Sequence, residues 1–212
     1  MILNILSTFL CKKYRMSYQI YRSEGIVLGG APFGEGNRYV AVFTRDFGLV
    51  NVRVQGVRTV QSKFRCHLED YALTQIGFVR GRESWRLTNA LKVYNIDARL
   101  LEKPRARRLV AQLISLLKRL APPDESYPAL YDDLRQLFEY FFIYTENRHE
   151  ISKLEYIVVA RILHAFGYFS SDVPFTELFT NNPMSSTALM CAEQMQKEIR
   201  NEINRSLRST HL

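Results

Sequence analysis

Eleven lysines and arginines fall between Ser17 and Asn95: Arg22, Arg38, Arg45, Arg53, Arg58, Lys63, Arg65, Arg80, Arg82, Arg86 and Lys92. Six acidic residues share that stretch, which leaves it a net charge of +5. Phe33, Tyr39, Phe64 and Trp85 are interleaved with the cations. Single-stranded nucleic acid needs this mixture. Guanidinium and ammonium groups neutralise phosphates, and flat rings stack on bases of any sequence, at about 1–3 kcal/mol per base. The expected DNA contacts are Arg38, Arg53, Arg58, Lys63, Arg65, Arg80, Arg82, Arg86 and Lys92. Phe33, Phe64 and Trp85 are the candidate base-stacking rings, whereas Tyr39, inside an apolar run, is assigned to the core.

Two groups of cations stand out. Arg80 and Arg82 flank Gly81 in a tight turn, where two guanidinium groups at a loop tip reach a partner with little burial. Arg58, Lys63 and Arg65 lie on the connection from Gly56 to Asp70. There, Glu69 and Asp70 are the alternative partners of Lys63 and Arg65, and exposed pairs of that kind contribute at most about 1 kcal/mol. A third cluster, Arg105, Arg107 and Arg108, opens a helix, where cations oppose the helix dipole. An anionic ligand relieves that cost, so the cluster reads as a minor extension of the basic surface.

The rest of the chain is differently charged. Residues 96–212 carry 15 basic and 15 acidic side chains, and Met1–Met16 carries three basic and no acidic ones. The excess positive charge thus sits in the first half, the footprint of a polyanion-binding surface. Charge alone leaves open a basic face that serves only solubility.

No catalytic arrangement is evident. There is no GxxxxGK[ST], GxGxxG or HExxH sequence, and His67, His149, His164 and His211 lie apart. Cys11, Cys66 and Cys191 form no CxxC or Cys/His cluster, which suits a reducing cytoplasm and supports neither zinc nor a disulfide framework. The expectation is a protein that is not an enzyme, with no cofactor and no small-molecule substrate. The apolar run Met1–Leu10 is shorter than the ~20 residues a membrane-spanning helix needs, and its basic residues follow it rather than precede it. Residues 1–16 are therefore expected to be an extra segment with Met16 as the native start, and no stable membrane association is expected. A short membrane-associating tail stays open.

The elements that must position these residues change character near Asn95. Before it, five short stretches carry strand signals: Gly25–Gly29, Tyr39–Thr44, Leu49–Gln55, Tyr71–Val79 and Trp85–Tyr94. Gly-bearing turns separate several of them, the pattern of a small closed barrel. After it the period is helical. Apolar stripes run from Leu109 to Leu120, from Leu130 to Phe141 and from Ile151 to Ala165, with a last helix over Ser186–Leu207. Ala121-Pro-Pro-Asp124 is expected to stop the first helix and cap the second. The expected fold is α+β: an N-terminal five-stranded OB-fold barrel over 17–95 that binds DNA, followed by an all-α helical domain over 96–212.

Glu24-Gly-Ile-Val-Leu28, Phe33-Gly-Glu-Gly-Asn-Arg38 and Val42-Phe-Thr-Arg-Asp-Phe-Gly-Leu49 resemble the opening of RecO recombination-mediator proteins. Gly56-Val-Arg58, Ser62-Lys-Phe-Arg65, Leu68-Glu69 and Arg80-Gly-Arg82 continue the resemblance. Leu116–Pro122, Pro128–Leu130 and Leu154–Tyr168 extend it into the helical half, over about residues 20–170. The resemblance implies DNA repair and homologous recombination. Such proteins bind single- and double-stranded DNA without a cofactor and anneal complementary strands. With RecR they help RecA replace single-strand-binding protein, whose acidic, apolar C-terminal tail they hold on the helical domain. It also implies a cytoplasmic, nucleoid-associated protein. Many members carry a four-cysteine zinc site in the helical half. Only Cys191 lies in that half here, so the chain resembles the zinc-free members. Two other readings stay open: an adaptor whose barrel binds acidic protein tails, and an RNA-binding OB protein.

Overall fold

In a computed structural model of the 212-residue chain, the described residues are 19–57, 62–81, 84–144, 147–169, 174–180 and 182–209. The first half forms β1 (Ile20–Phe33), β2 (Asn37–Thr44), β3 (Gly48–Val54), β4 (Ala72–Arg80) and β5 (Trp85–Asn95). They close into a barrel in the order β1-β2-β3-β5-β4. All neighbours are antiparallel except β3 and β5, which run parallel through Val52–Trp85 and Arg53–Arg86. This is the five-stranded Greek-key barrel of the OB fold. The connection from β3 to β4 contains a 3-10 turn at Arg65–His67.

β1 is longer than its apolar run. Gly29-Gly30, read as the end of the strand, is instead a kink within it. The register slips between Val27 and Gly29, and Gly29 has φ of +122°, open to glycine at little cost. A Cβ on Gly30 would lie 2.2 Å from the Tyr39 carbonyl oxygen, so only glycine lets β1 continue past β2.

Ile26-Val27-Leu28 is apolar on consecutive positions because it is buried on both faces. Val27 points into the barrel with Val40, Val42, Val52, Ile76 and Phe78. Ile26 and Leu28, with Phe43, Leu49 and Leu73, point outward into a second core shared with the helices. At 25 cal/mol per Å², each such side chain stabilises by about 1.5–3 kcal/mol relative to exposure.

The helices are α1 (Ile96–Arg99), α2 (Pro104–Leu120), α3 (Pro128–Ile143), α4 (Arg148–Ala165), α5 (Glu177–Thr180), α6 (Ser186–Gln194) and α7 (Gln196–Ser209). α2 and α3 each begin on proline, whose missing N–H is no loss in a first turn. Two expectations are corrected. The last helix is broken at Met195 into α6 and α7. Asp124 does not cap α3, which starts four residues later at Pro128. Asp124 takes a left-handed conformation (φ +58°), donates its N–H to the Leu49 carbonyl at 3.2 Å, and accepts the Trp85 indole N–H at 2.9 Å. Its segment therefore bridges from α2 back to the barrel.

Polar contacts reinforce this seam. Arg45, in the β2–β3 turn, grips Asp132 of α3 with two hydrogen bonds of 2.8 Å and holds that carboxyl below its ordinary pKa. Tyr131 donates to Glu24 at 3.1 Å, and Arg135 lies 3.2 Å from the same carboxylate. Gly48 shows how close the halves come: it has φ of +61°, and a Cβ there would lie 1.7 Å from the Glu125 carbonyl oxygen. Gly48→Ala is expected to cost at least about 2 kcal/mol through left-handed strain and overpacking. A urea midpoint unchanged from wild type would show that the 121–127 segment does not pack on this turn.

Candidate nucleic-acid interface

Strand alternation decides which basic residues face outward. Val40, Val52 and Trp85 belong to the barrel core, so their chain neighbours Tyr39, Arg53 and Arg86 stand on the outer surface. The register places them side by side: Tyr39 opposite Arg53 across β2–β3, and Arg53 opposite Arg86 across β3–β5. Phe33, at the end of β1, completes the group. Its ring is 42% exposed, meets Tyr39 edge-on at 4.9 Å between centroids, and carries the Arg53 guanidinium 4.9 Å above its centroid. Arg53 Nε is buried and has no hydrogen-bond partner among the described residues. A guanidinium held over a ring, beside a second arginine and an exposed aromatic edge, offers donors to a phosphate and a platform to a base.

Other expected contacts are committed within the protein. Arg38 donates to Asp70 at 2.6 Å and reaches the Leu68 carbonyl at 3.5 Å. Lys92 bonds Glu69 at 2.9 Å. Arg80 lies 3.8 Å from Asp124 and 5.4 Å from the centre of the Trp85 ring, yet its side chain is 69% exposed, so this contact leaves it open to a partner. Glu69 and Asp70 are thus occupied by Lys92 and Arg38, not by Lys63 and Arg65. Lys63, Arg65 and Arg86 are exposed and make no ion pair among the described residues. Arg58 and Arg82 lie outside the described residues.

One of the candidate stacking rings, Trp85, is corrected. Trp85 is only 9% exposed and sits among Tyr21, Phe47 and Phe78, with Phe78 4.9 Å away. Its indole N–H is satisfied by Asp124, so the ring fills the barrel and has no face to offer a base. Phe64 is half-buried against the same core. Phe33 alone of the three is exposed. Tyr39, assigned to the core by its apolar neighbours, lies on the outer surface beside Phe33. Its odd position between inward Val40 and Arg38 was the available signal.

Residues 16–94 match the family model described as "Recombination protein O N terminal". Over this stretch the chain is similar to RecO proteins. Three relatives, each called DNA repair protein RecO, support this. The protein from Gloeothece citriformis is 33% identical over 120 residues, which is 55% of this chain and 42% of the relative. That from Rubrobacter xylanophilus is 31% identical over 120 residues, 56% of this chain and 48% of the relative. That from a Synechococcus species is 33% identical over 126 residues, 55% and 44%. The chain spans about half the length of these relatives. The RecO match contains the barrel as far as Tyr94, and with it Phe33, Tyr39, Arg53 and Arg86. Among the described residues, no helix is long and apolar enough to cross a membrane, and no three His, Cys, Asp or Glu side chains are grouped to hold a metal ion.

Proposed function

We propose that this protein is a DNA-binding recombination mediator that acts in repair without catalysing a reaction of its own. Residues 17–95 form the DNA-binding domain and 96–212 the helical domain. Single- or double-stranded DNA lies across β2, β3 and β5, with Arg53 and Arg86 on phosphates, Phe33 against a base, and Lys63 and Arg65 closing from the β3–β4 connection. Arg58 and Arg82, outside the described residues, are further DNA contacts in this reading. Arg38, Arg80 and Lys92 join it by exchanging an exposed internal carboxylate for a phosphate, a swap that costs little because such pairs are worth about 0–1 kcal/mol. Two strands gathered in this way anneal. With RecR, the protein helps RecA replace single-strand-binding protein on DNA in the cytoplasm, at the nucleoid, and the helical domain holds that protein's acidic tail. The observation that carries the reading is the Phe33–Arg53 cation–π pair beside Tyr39 and Arg86, on the outer barrel surface of a RecO N-terminal match.

The test is anisotropy of a fluorescent single-stranded oligonucleotide across a range of salt concentrations, with matched RNA alongside. Arg53→Ala with Arg86→Ala is expected to weaken binding at least tenfold and to flatten the log–log salt slope by about 1.4, or 0.7 for each lost phosphate contact. An unchanged slope would remove the barrel face from the account. Wild-type protein that ignores DNA even at low salt would overturn the DNA reading in favour of an acidic-tail adaptor, and a clear RNA preference would favour an RNA-binding role.

A further inference from the structure

The balanced charge of residues 96–212 conceals a separation in space. Of the Arg105, Arg107 and Arg108 cluster, Arg107 is turned aside and held by Asp97 at 2.5 and 2.8 Å. Arg105 and Arg108 instead line one end of a trough between α2 and α4, a hollow of about 290 Å³ that Arg148 also borders. The trough continues between α2, α4 and α7 as a hollow of about 550 Å³, bordered by Arg119 and Arg200. The two hollows share Leu109, Gln112 and Glu155, so they form one channel. Among the described residues, five arginines and one carboxylate, Glu155, border it. Arg108, Arg119, Arg148 and Arg200 have no ion-pair partner among the described residues.

We propose that this trough is a second nucleic-acid site, which takes the sugar–phosphate backbone of a strand other than the one on the barrel. Arg105, Arg108, Gln112, Ser115 and Arg119 follow each other at intervals of three and four along α2, so they form one stripe of cations and hydrogen-bonding groups. From Arg105 to Arg119 the stripe runs about 21 Å at 1.5 Å per residue. That is about six phosphates at the ~3.4 Å axial spacing of one strand in a duplex. No acidic residue stands in the first turn of α2, where Arg105, followed closely by Arg108, opposes the helix dipole. A polyanion laid along the trough removes that cost. Leu109 and Ile203 are almost wholly buried, while the half-buried Leu116, Tyr156, Val159 and Leu207 give the α7 end of the trough an apolar floor beneath the arginines of its rim.

The inference rests on the proposed DNA-binding function and deepens it, since a chain with two separated sites brings two strands together without dimerising. Native mass spectrometry with two short, non-complementary oligonucleotides counts strands per chain. Two strands are expected on the wild type, and one each on Arg108→Ala with Arg148→Ala and on Arg53→Ala with Arg86→Ala. Glu155→Gln, which removes the opposing carboxylate, is expected to tighten the second binding step several-fold. A wild type that takes only one strand, or a trough variant that still takes two, overturns the second site and leaves the barrel reading intact. A wild type that takes none overturns both. A trough variant that keeps both strands but loses an Asp/Glu-rich peptide would make the trough a protein-docking site and overturn the inference likewise.

Discussion

Trp85→Ala is expected to lower stability by about 3–5 kcal/mol, the usual range for emptying a buried tryptophan site, whereas Phe33→Ala leaves stability nearly unchanged. DNA binding reverses the order. Phe33→Ala is expected to lose about 1–3 kcal/mol of affinity, roughly 5- to 150-fold, because an exposed stacking ring acts only when a base lies on it. Trp85 lies among Tyr21, Phe47 and Phe78 and bonds Asp124, so its loss opens the barrel interior and also frees the 121–127 segment. Trp85→Phe separates these effects, since it keeps most of the packing and removes only the indole N–H. It should cost less than Trp85→Ala in a denaturation series and change DNA affinity little. A folded Trp85→Ala protein of wild-type stability that fails to bind DNA would restore the tryptophan as a stacking ring and displace Phe33.

The second large effect belongs to Arg161. Its side chain is 8% exposed, and it bonds Asp133 of α3 at 2.7 Å and the Leu178 carbonyl of α5 at 2.7 Å. One guanidinium thus ties α4 to two neighbours. Removing one member of a buried pair strands the other, at about 3–5 kcal/mol, so Arg161→Ala is expected to fall in that range at neutral pH. Burial already pushes the Asp133 carboxyl above its ordinary pKa, with Arg161 opposing the rise. A carboxyl raised in the folded state favours folding fully below its unfolded pKa and less as pH climbs through the folded value. Without Arg161 the rise is larger. The deficit of Arg161→Ala relative to wild type should therefore shrink as pH falls from neutrality toward the ordinary carboxylate range. Urea denaturation at several pH values measures it, and a deficit independent of pH would mean that Asp133 finds another cation.

Much of this architecture was legible because it rests on local alternation. The inward valines of β2 and β3, and the glycines and polar residues that punctuate the strands, announce a barrel, and the 3-4 spacing of leucines announces α2, α3 and α4. The length of β1 was not legible, because Gly29-Gly30 ends a strand in most settings. What keeps it running is the approach of the Tyr39 carbonyl, a contact made only after pairing. The placing of Trp85 was half legible: Arg86 beside it had to face outward, so Trp85 had to face in. Composition argued the other way, since an aromatic among arginines looks like a nucleic-acid contact. The commitment of Arg38 and Lys92 could not be read at all. Their partners, Asp70 and Glu69, are separated from them by 32 and 23 positions, and only barrel closure brings them within 3 Å. The trough was hidden for a related reason. A net charge of zero over 96–212 says nothing about where the acids go, and several of them face Arg45, Arg107 and Arg161 rather than the channel.

The central claim is that DNA lies on the β2–β3–β5 face beside Phe33. Photo-cross-linking of an oligonucleotide bearing 5-iododeoxyuridine, followed by mass spectrometry of the adducts, reads this directly. The expected result is adduct formation at Phe33 and Tyr39, suppressed in Arg53→Ala with Arg86→Ala. Adducts confined to the opposite barrel face, around Ile20, Gly77 and Leu91, would contradict the account and turn the barrel around.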